Sequence, residues 1–85
     1  MTVYIVTITN SYNNEVSEEY IEEVFQNKED AKRELLKIYN TELYEQKAVG
    51  DTYEATISNN SFSISCENED EQLVMVGKII ERELK

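Results

Sequence analysis

The sequence predicts a single α+β domain over residues 1–85, an antiparallel sheet of about five strands with one helix packed on one face, in the order ββαβββ. Three observations lead there. Only Asn27 to Tyr39, NKEDAKRELLKIY, combines a helical start signal with helical apolar spacing. The segments on either side are rich in β-branched and aromatic residues and are patterned with period two. Between those segments lie NSYNN, Asn59-Asn60 and ENEDE, which are turn formers or runs of charge.

The elements follow in order. Thr2 to Thr9 places Val3 and Ile5 on one parity and Tyr4, Val6 and Ile8 on the other, which is the pattern of a strand inside a sheet. Asn10 to Asn14 reads as a loop. Val16 to Phe25, VSEEYIEEVF, reads as the second strand; strict alternation puts Ile21, Glu23 and Phe25 on one face and Tyr20, Glu22 and Val24 on the other. A helix would instead align Tyr20 with Val24, but the composition and the hairpin-like distance to the first strand favour a strand.

Asn27 is the expected N-cap, with Glu29 and Asp30 where the helix dipole favours negative charge. Ala31, Leu35, Ile38 and Tyr39 form the stripe that faces the sheet. Past Tyr39 the signals conflict. Asn40-Thr41 would end the helix, whereas Leu43 and Ala48 would carry it toward Gly50, so the helix is expected to reach about Gln46 with a bend. Tyr53, Ala55 and Ile57 then alternate with Glu54, Thr56 and Ser58, and Phe62, Ile64 and Cys66 with Ser61, Ser63 and Ser65. Asn59-Asn60 joins them into a hairpin with residues that tolerate positive φ. Gln72 to Leu84 is the last strand or pair of strands, with Gly77 as a bulge.

Composition excludes several functions. A chain of 85 residues buries only roughly 60 to 65% of its unfolded surface, so a homodimer would add to its stability. Forty per cent apolar residues are enough for a folded core despite a net charge of −10. No apolar run approaches the roughly 18 residues of a membrane span, and the start lacks the basic and small-residue pattern of a leader, so a soluble cytoplasmic protein is expected. Cys66 is the only cysteine and there is no His, which rules out an internal disulfide and a Cys/His zinc site; Cys66 is expected in the core. The two glycines lie far apart and form no phosphate loop, and ENEDE lacks the Asp-x-Asp-x-Asp-Gly order of a calcium loop. No catalytic residue, cofactor or metal is expected, and the protein reads as a binding protein, not an enzyme.

Eighteen acids against eight bases argue against direct contact with nucleic acid or an anionic membrane, and for a basic partner. The charge is uneven. Lys28 to Lys37 is net +1, so the other 75 residues carry −11. Glu15, Glu18, Glu19, Glu22 and Glu23 form one cluster without a base, and Glu67, Glu69, Asp70 and Glu71 a second. On an extended chain, carboxylates two apart are spaced about 6.6 to 6.8 Å and point the same way, so such a row can imitate a row of phosphates. The plainer reading is a solubilising surface that also deters edge-to-edge strand pairing. Among six tyrosines, Tyr4, Tyr39 and Tyr53 are in phase with apolar neighbours, Tyr12 and Tyr44 are harder to bury, and Tyr20 sits between glutamates as an interface anchor would. The candidate partner-binding residues are Glu18, Glu19, Tyr20, Glu22, Glu67, Glu69, Asp70 and Glu71.

VYIVTIT at the start, the junction EVFQNKEDAKREL and the closing GKIIERELK resemble a loose group of small uncharacterised acidic proteins of Gram-positive bacteriophages and mobile elements. The resemblance implies a small sheet with one helix. In size and acidity the chain is also similar to phage inhibitors of host defence, the anti-CRISPR and DNA-mimic proteins. That likeness implies an inhibitor that blocks the nucleic-acid-binding surface of a host nuclease or DNA-binding protein in the host cytoplasm. The alternative is a homodimeric structural or adaptor protein that joins through a sheet edge or the helix and holds its partner by apolar contacts.

Overall fold

A computed structural model describes residues 1–49, 52–67 and 71–84. The elements are β1 (Thr2–Tyr12), β2 (Glu15–Phe25), α1 (Lys28–Val49), β3 (Thr52–Ile57), β4 (Ser61–Glu67) and β5 (Gln72–Glu83). They form one antiparallel sheet in the order β2-β1-β5-β4-β3, with α1 across one face, chiefly over β1, β5 and β4. This is the ββαβββ fold expected from the sequence. β1, apolar on both parities, is an internal strand. β5 is one strand, paired without a break to β1 from Leu73 to Glu83.

The core lies between α1 and the sheet and is made by Val6, Ile8, Ala31, Leu35, Phe62, Ile64 and Cys66, with Ile38, Tyr39 and Leu43 packed around it. The helix starts as its sequence dictates. The Asn27 side-chain oxygen accepts from the Glu29 amide at 2.8 Å, and the Asn27 carbonyl from the Ala31 amide at 3.2 Å. Its end differs from expectation, since α1 runs on to Val49. Leu43 reaches the core, and Glu42, on the inward side, is satisfied by the Gln46 amide at 3.0 Å, so no break is needed there.

Three local expectations are corrected by geometry. The loop at Asn10–Asn14 shrinks to a two-residue turn, because β1 continues to Tyr12 and β2 begins at Glu15. Asn13 and Asn14 take φ of 49° and 68°, as a tight hairpin turn requires. Positive φ therefore belongs to this Asn pair; Asn59-Asn60 does not use it. Gly77 is not a bulge, for both ladders pass it in register. It lies beneath the Phe62 ring, and a Cβ built on it would fall 2.7 Å from Phe62 Cζ. Tyr39 meets the same ring edge-on at 5.6 Å, so Gly77 makes room for the largest side chain of the core.

The third correction concerns β2. Its ladder to β1 shifts register between Val6 and Thr7 and between Asn10 and Ser11, which leaves Glu22 and Ser17 as extra residues. Each bulge reverses the phase of alternation. Directly paired residues share a face, so Ile21 (opposite Thr7) and Val24 (opposite Ile5) lie together on the uncovered side, while Tyr20 (opposite Ile8), Glu23 and Phe25 face α1. Strict alternation had separated Ile21 from Val24 and joined it to Phe25.

Candidate functional site

The register decides where the two acidic clusters go. Glu15 pairs with Tyr12, Glu18 with Asn10 and Glu19 with Thr9, so these three occupy the end of the sheet formed by the β1–β2 turn, while Glu22 and Glu23, beside Val6, carry the cluster to the middle of the strand. Glu67 pairs with Gln72, at the end where β5 starts beside Tyr12. The two ends are one. The Tyr12 hydroxyl donates to Glu71 at 2.9 Å, the Asn13 amide donates to the Gln72 carbonyl at 2.9 Å, and the Gln72 amide donates to Asn13 Oδ1 at 2.9 Å. The turn between β1 and β2 is thus tied to the approach to β5, and Glu71 stands beside Tyr12. That contact raises the Tyr12 pKa, through the hydrogen bond to Glu71 first, then desolvation and the negative charge. Glu69 and Asp70, counted with this cluster, lie outside the described residues.

α1 adds to this end. It starts beside Phe25, at the other end of the sheet, and runs back toward β3, whose Thr52 pairs with Glu67. Its C-terminal half therefore brings Glu42 and Glu45, with the negative pole of the helix dipole, to the acidic end. Between α1 and the edge strand β2 is a groove of ≈ 320 Å³ with Tyr20, Ile38 and Met75 as apolar lining and Glu22, Glu34, Glu42 and Glu45 as acids, facing the single base Lys37. Tyr20 senses both walls. Its hydroxyl pKa is raised by desolvation and then by Glu22, Glu18 and Glu42, charges contributed by strand and helix. A second depression, of ≈ 240 Å³, shares Glu42 and Met75 and continues toward Leu73 and Cys66.

Of the candidates from the sequence, Glu18, Tyr20 and Glu22 thus converge on the helix side of β2, and Glu67 and Glu71 gather at the same end of the sheet. Glu19 departs from this set, since its pairing with Thr9 puts it on the uncovered face. Sequence reasoning missed Glu34, Glu42 and Glu45. Their spacing of eight and three marks one helical face, but nothing in the chain says that β2 stands opposite. The opposite end is balanced. Lys28, Lys32, Arg33 and Arg82 lie there with Glu29, Asp30, Glu81 and Glu83, and it holds all three ion pairs found among the described residues: Lys32–Glu29 at 3.8 Å, Arg33–Asp30 at 3.2 Å and the terminal amine with Glu83 at 3.3 Å.

No group of three or more Cys, Asp or Glu side chains among the described residues is placed to hold a metal ion, and no described helix is long and apolar enough to cross a membrane. Compared with protein-family models, curated proteins and solved structures, the chain finds no match.

Proposed function

We propose that this is a non-enzymatic acidic binding protein that occupies the nucleic-acid-binding surface of a basic protein, in the manner of a phage-encoded inhibitor of a host defence nuclease or DNA-binding protein. The observation that carries this reading is the convergence of carboxylates from separate parts of the chain on one end of the molecule, around a groove with an apolar lining. Glu18 and Glu22 come from β2, Glu42 and Glu45 from α1, and Glu67 and Glu71 from the β4–β5 end. A surface kept acidic for solubility alone would have no need to segregate its charge, whereas the opposite end mixes and pairs its charges. A partner rich in Lys and Arg would be steered to the acidic end, and an Arg stem could lie on Tyr20 while its guanidinium meets Glu22 or Glu42.

The test is capture of the partner from a host lysate by immobilised protein, with wild type and a Glu18→Lys/Glu22→Lys/Glu42→Lys variant side by side. One basic nucleic-acid-binding protein should be retained by wild type, released by rising salt, displaced by DNA or RNA, and lost with the variant. Retention that resists salt, or is equal for the variant, would contradict the reading. One observation favours the second reading, a homodimer: the sheet face opposite α1 carries exposed apolar side chains.

A further inference from the structure

β2 contributes almost nothing to the core. From Glu15 to Val24 every side chain is exposed and Phe25 is half-buried, because α1 lies chiefly over β1, β5 and β4 and leaves this strand clear on both faces. It is also an edge. β1 takes one side of its backbone, and among the described residues no strand pairs with the other, so alternate amides and carbonyls point outward. The bulges at Ser17 and Glu22 bound a regular stretch from Glu18 to Ile21. That stretch has two different sides. Glu18, opposite Asn10, and Tyr20, opposite Ile8, stand on the helix side, where Tyr20 shares the groove with Glu22, Glu42 and Glu45; Glu19 and Ile21 stand on the other.

Charge decides what this edge accepts. Against a second β2, a row of glutamates without a base would meet the same row, and like charges across strands are destabilising. The other edge strand, β3, is six residues long against eleven and offers Glu54 and no base, so the β3 of a second copy is no better a match. The edge therefore refuses copies of its own chain and suits a basic strand.

We propose that the outer edge of β2 is a docking edge, where the basic partner supplies an extended segment that pairs with Glu18 to Ile21 as an added strand, its Arg side chains on the groove side and a β-branched side chain beside Ile21. The inference rests on the basic-partner reading above and names the part of the partner that binds. Main-chain hydrogen bonds hold such a strand, and alternate side chains select it. Neighbouring strands stand about 4.8 Å apart, so an Arg opposite Tyr20 lies at the groove. Its stem covers the ring, and its guanidinium has Glu22 and Glu42 within reach. The next Arg on that side, two residues along, meets Glu18. A Val or Ile on the far side extends the exposed pair Ile21 and Val24.

The experiment uses the full chain, labelled with 15N, and a synthetic peptide of about eight residues in which Arg and Val alternate, long enough to cover the regular stretch. Its control is the same peptide with every backbone amide N-methylated, which keeps charge and side chains but cannot donate to a strand. Both are titrated at low salt, and amide hydrogen exchange is followed by NMR. With the first peptide bound, every other amide between Glu18 and Ile21 should exchange about tenfold more slowly or less, as the outward amides gain partners. N-methylation should weaken binding by about tenfold or more. Equal affinity of the two peptides, with salt-sensitive shifts at the groove, would overturn strand pairing and leave the basic-partner reading standing. Slowed exchange along β3 instead of β2 would overturn it too. So would failure of both peptides to bind, and capture from the lysate then decides separately whether the basic-partner reading falls with it.

Discussion

The end of the sheet where α1 finishes is built from all five strands and the end where it begins from three, β2, β1 and β5, and the two differ in how their charges are settled. At the end where α1 begins, three of the four acids have partners: Glu29 holds Lys32, Asp30 holds Arg33, and Glu83 accepts from the Thr2 hydroxyl at 2.6 Å and from the terminal amine. At the end where α1 finishes, Glu22 on β2 faces Glu42 and Glu45 on the helix across a groove whose only base is Lys37, with Glu18 close enough to Tyr20 to raise its pKa. The first arrangement stabilises the fold by small local terms. The second works against the fold, since like charges are brought together, and it becomes favourable only when cations arrive from outside. The contrast shows that net charge says little about function until the fold has distributed it.

Charge reversal should break the comparison most visibly. With a basic ligand, Glu18→Lys/Glu22→Lys/Glu42→Lys should weaken binding by about a thousandfold, at about tenfold or 1.4 kcal/mol per charge. Glu29→Lys/Glu81→Lys at the other end should change it by less than about threefold. Isothermal titration calorimetry on both variants measures the ratio, and equal losses would show that only total charge matters.

The effect on stability should have opposite signs at the two ends. Asn27→Ala removes the cap that receives the Glu29 amide and should cost about 1 kcal/mol in urea denaturation. Asp30→Asn should cost about 0.3 to 1 kcal/mol, through the lost helix-start charge and the i,i+3 pair. Glu22→Gln and Glu45→Gln, by contrast, should leave stability unchanged or raise it by up to about 0.5 kcal/mol, because repulsion is relieved. A loss of more than about 1 kcal/mol from either would mean that those carboxylates have structural work to do.

The smallest effects lie in pH dependence, again with opposite signs. The Glu83 pKa is lowered by the Thr2 hydroxyl and the terminal amine. Its contribution is present above the unfolded value and is lost as pH falls through the lowered folded value. The Tyr20 pKa is raised by desolvation and by Glu22, Glu18 and Glu42. Its contribution is complete below the unfolded value and is lost as pH rises through the raised folded value. Phenolate absorbance should therefore show two tyrosines, Tyr12 and Tyr20, titrating late, and Glu18→Gln/Glu22→Gln should bring Tyr20 earlier. Glu42→Gln on the helix should also bring it earlier, and a Tyr20 transition that ignores this change would mean that the two walls are not close enough to interact.

Much of the fold was legible because its signals are local. Asn27 with Glu29 and Asp30 fixes where α1 starts, and Phe62, Ile64 and Cys66 against the serines between them fix the inward face of β4. What could not be read depends on partners distant in sequence. The phase of β2 changes at Glu22 and Ser17, residues that look like any others until their ladder with β1 is drawn. Gly77 resembles a bulge until Phe62 is found over it, and Asn13-Asn14 and Asn59-Asn60 are the same dipeptide in different turns. The site followed the same rule. The acids of β2 and ENEDE were visible as runs, but the meeting of Glu18 with Glu67 and Glu71 at one end, and of Glu34, Glu42 and Glu45 with Tyr20 across the groove, is set by topology.

The most direct test is an NMR titration of the 15N-labelled protein with a short arginine-rich peptide, at low salt and again at high salt. The peptide should shift the amides of β2 from Glu18 to Glu22 and of α1 from Ile38 to Glu45, leave those from Lys28 to Arg33 still, and lose its effect when salt is raised. Shifts spread evenly over all acidic residues, or centred on Glu29, Asp30 and Glu81, would contradict a site at the acidic end.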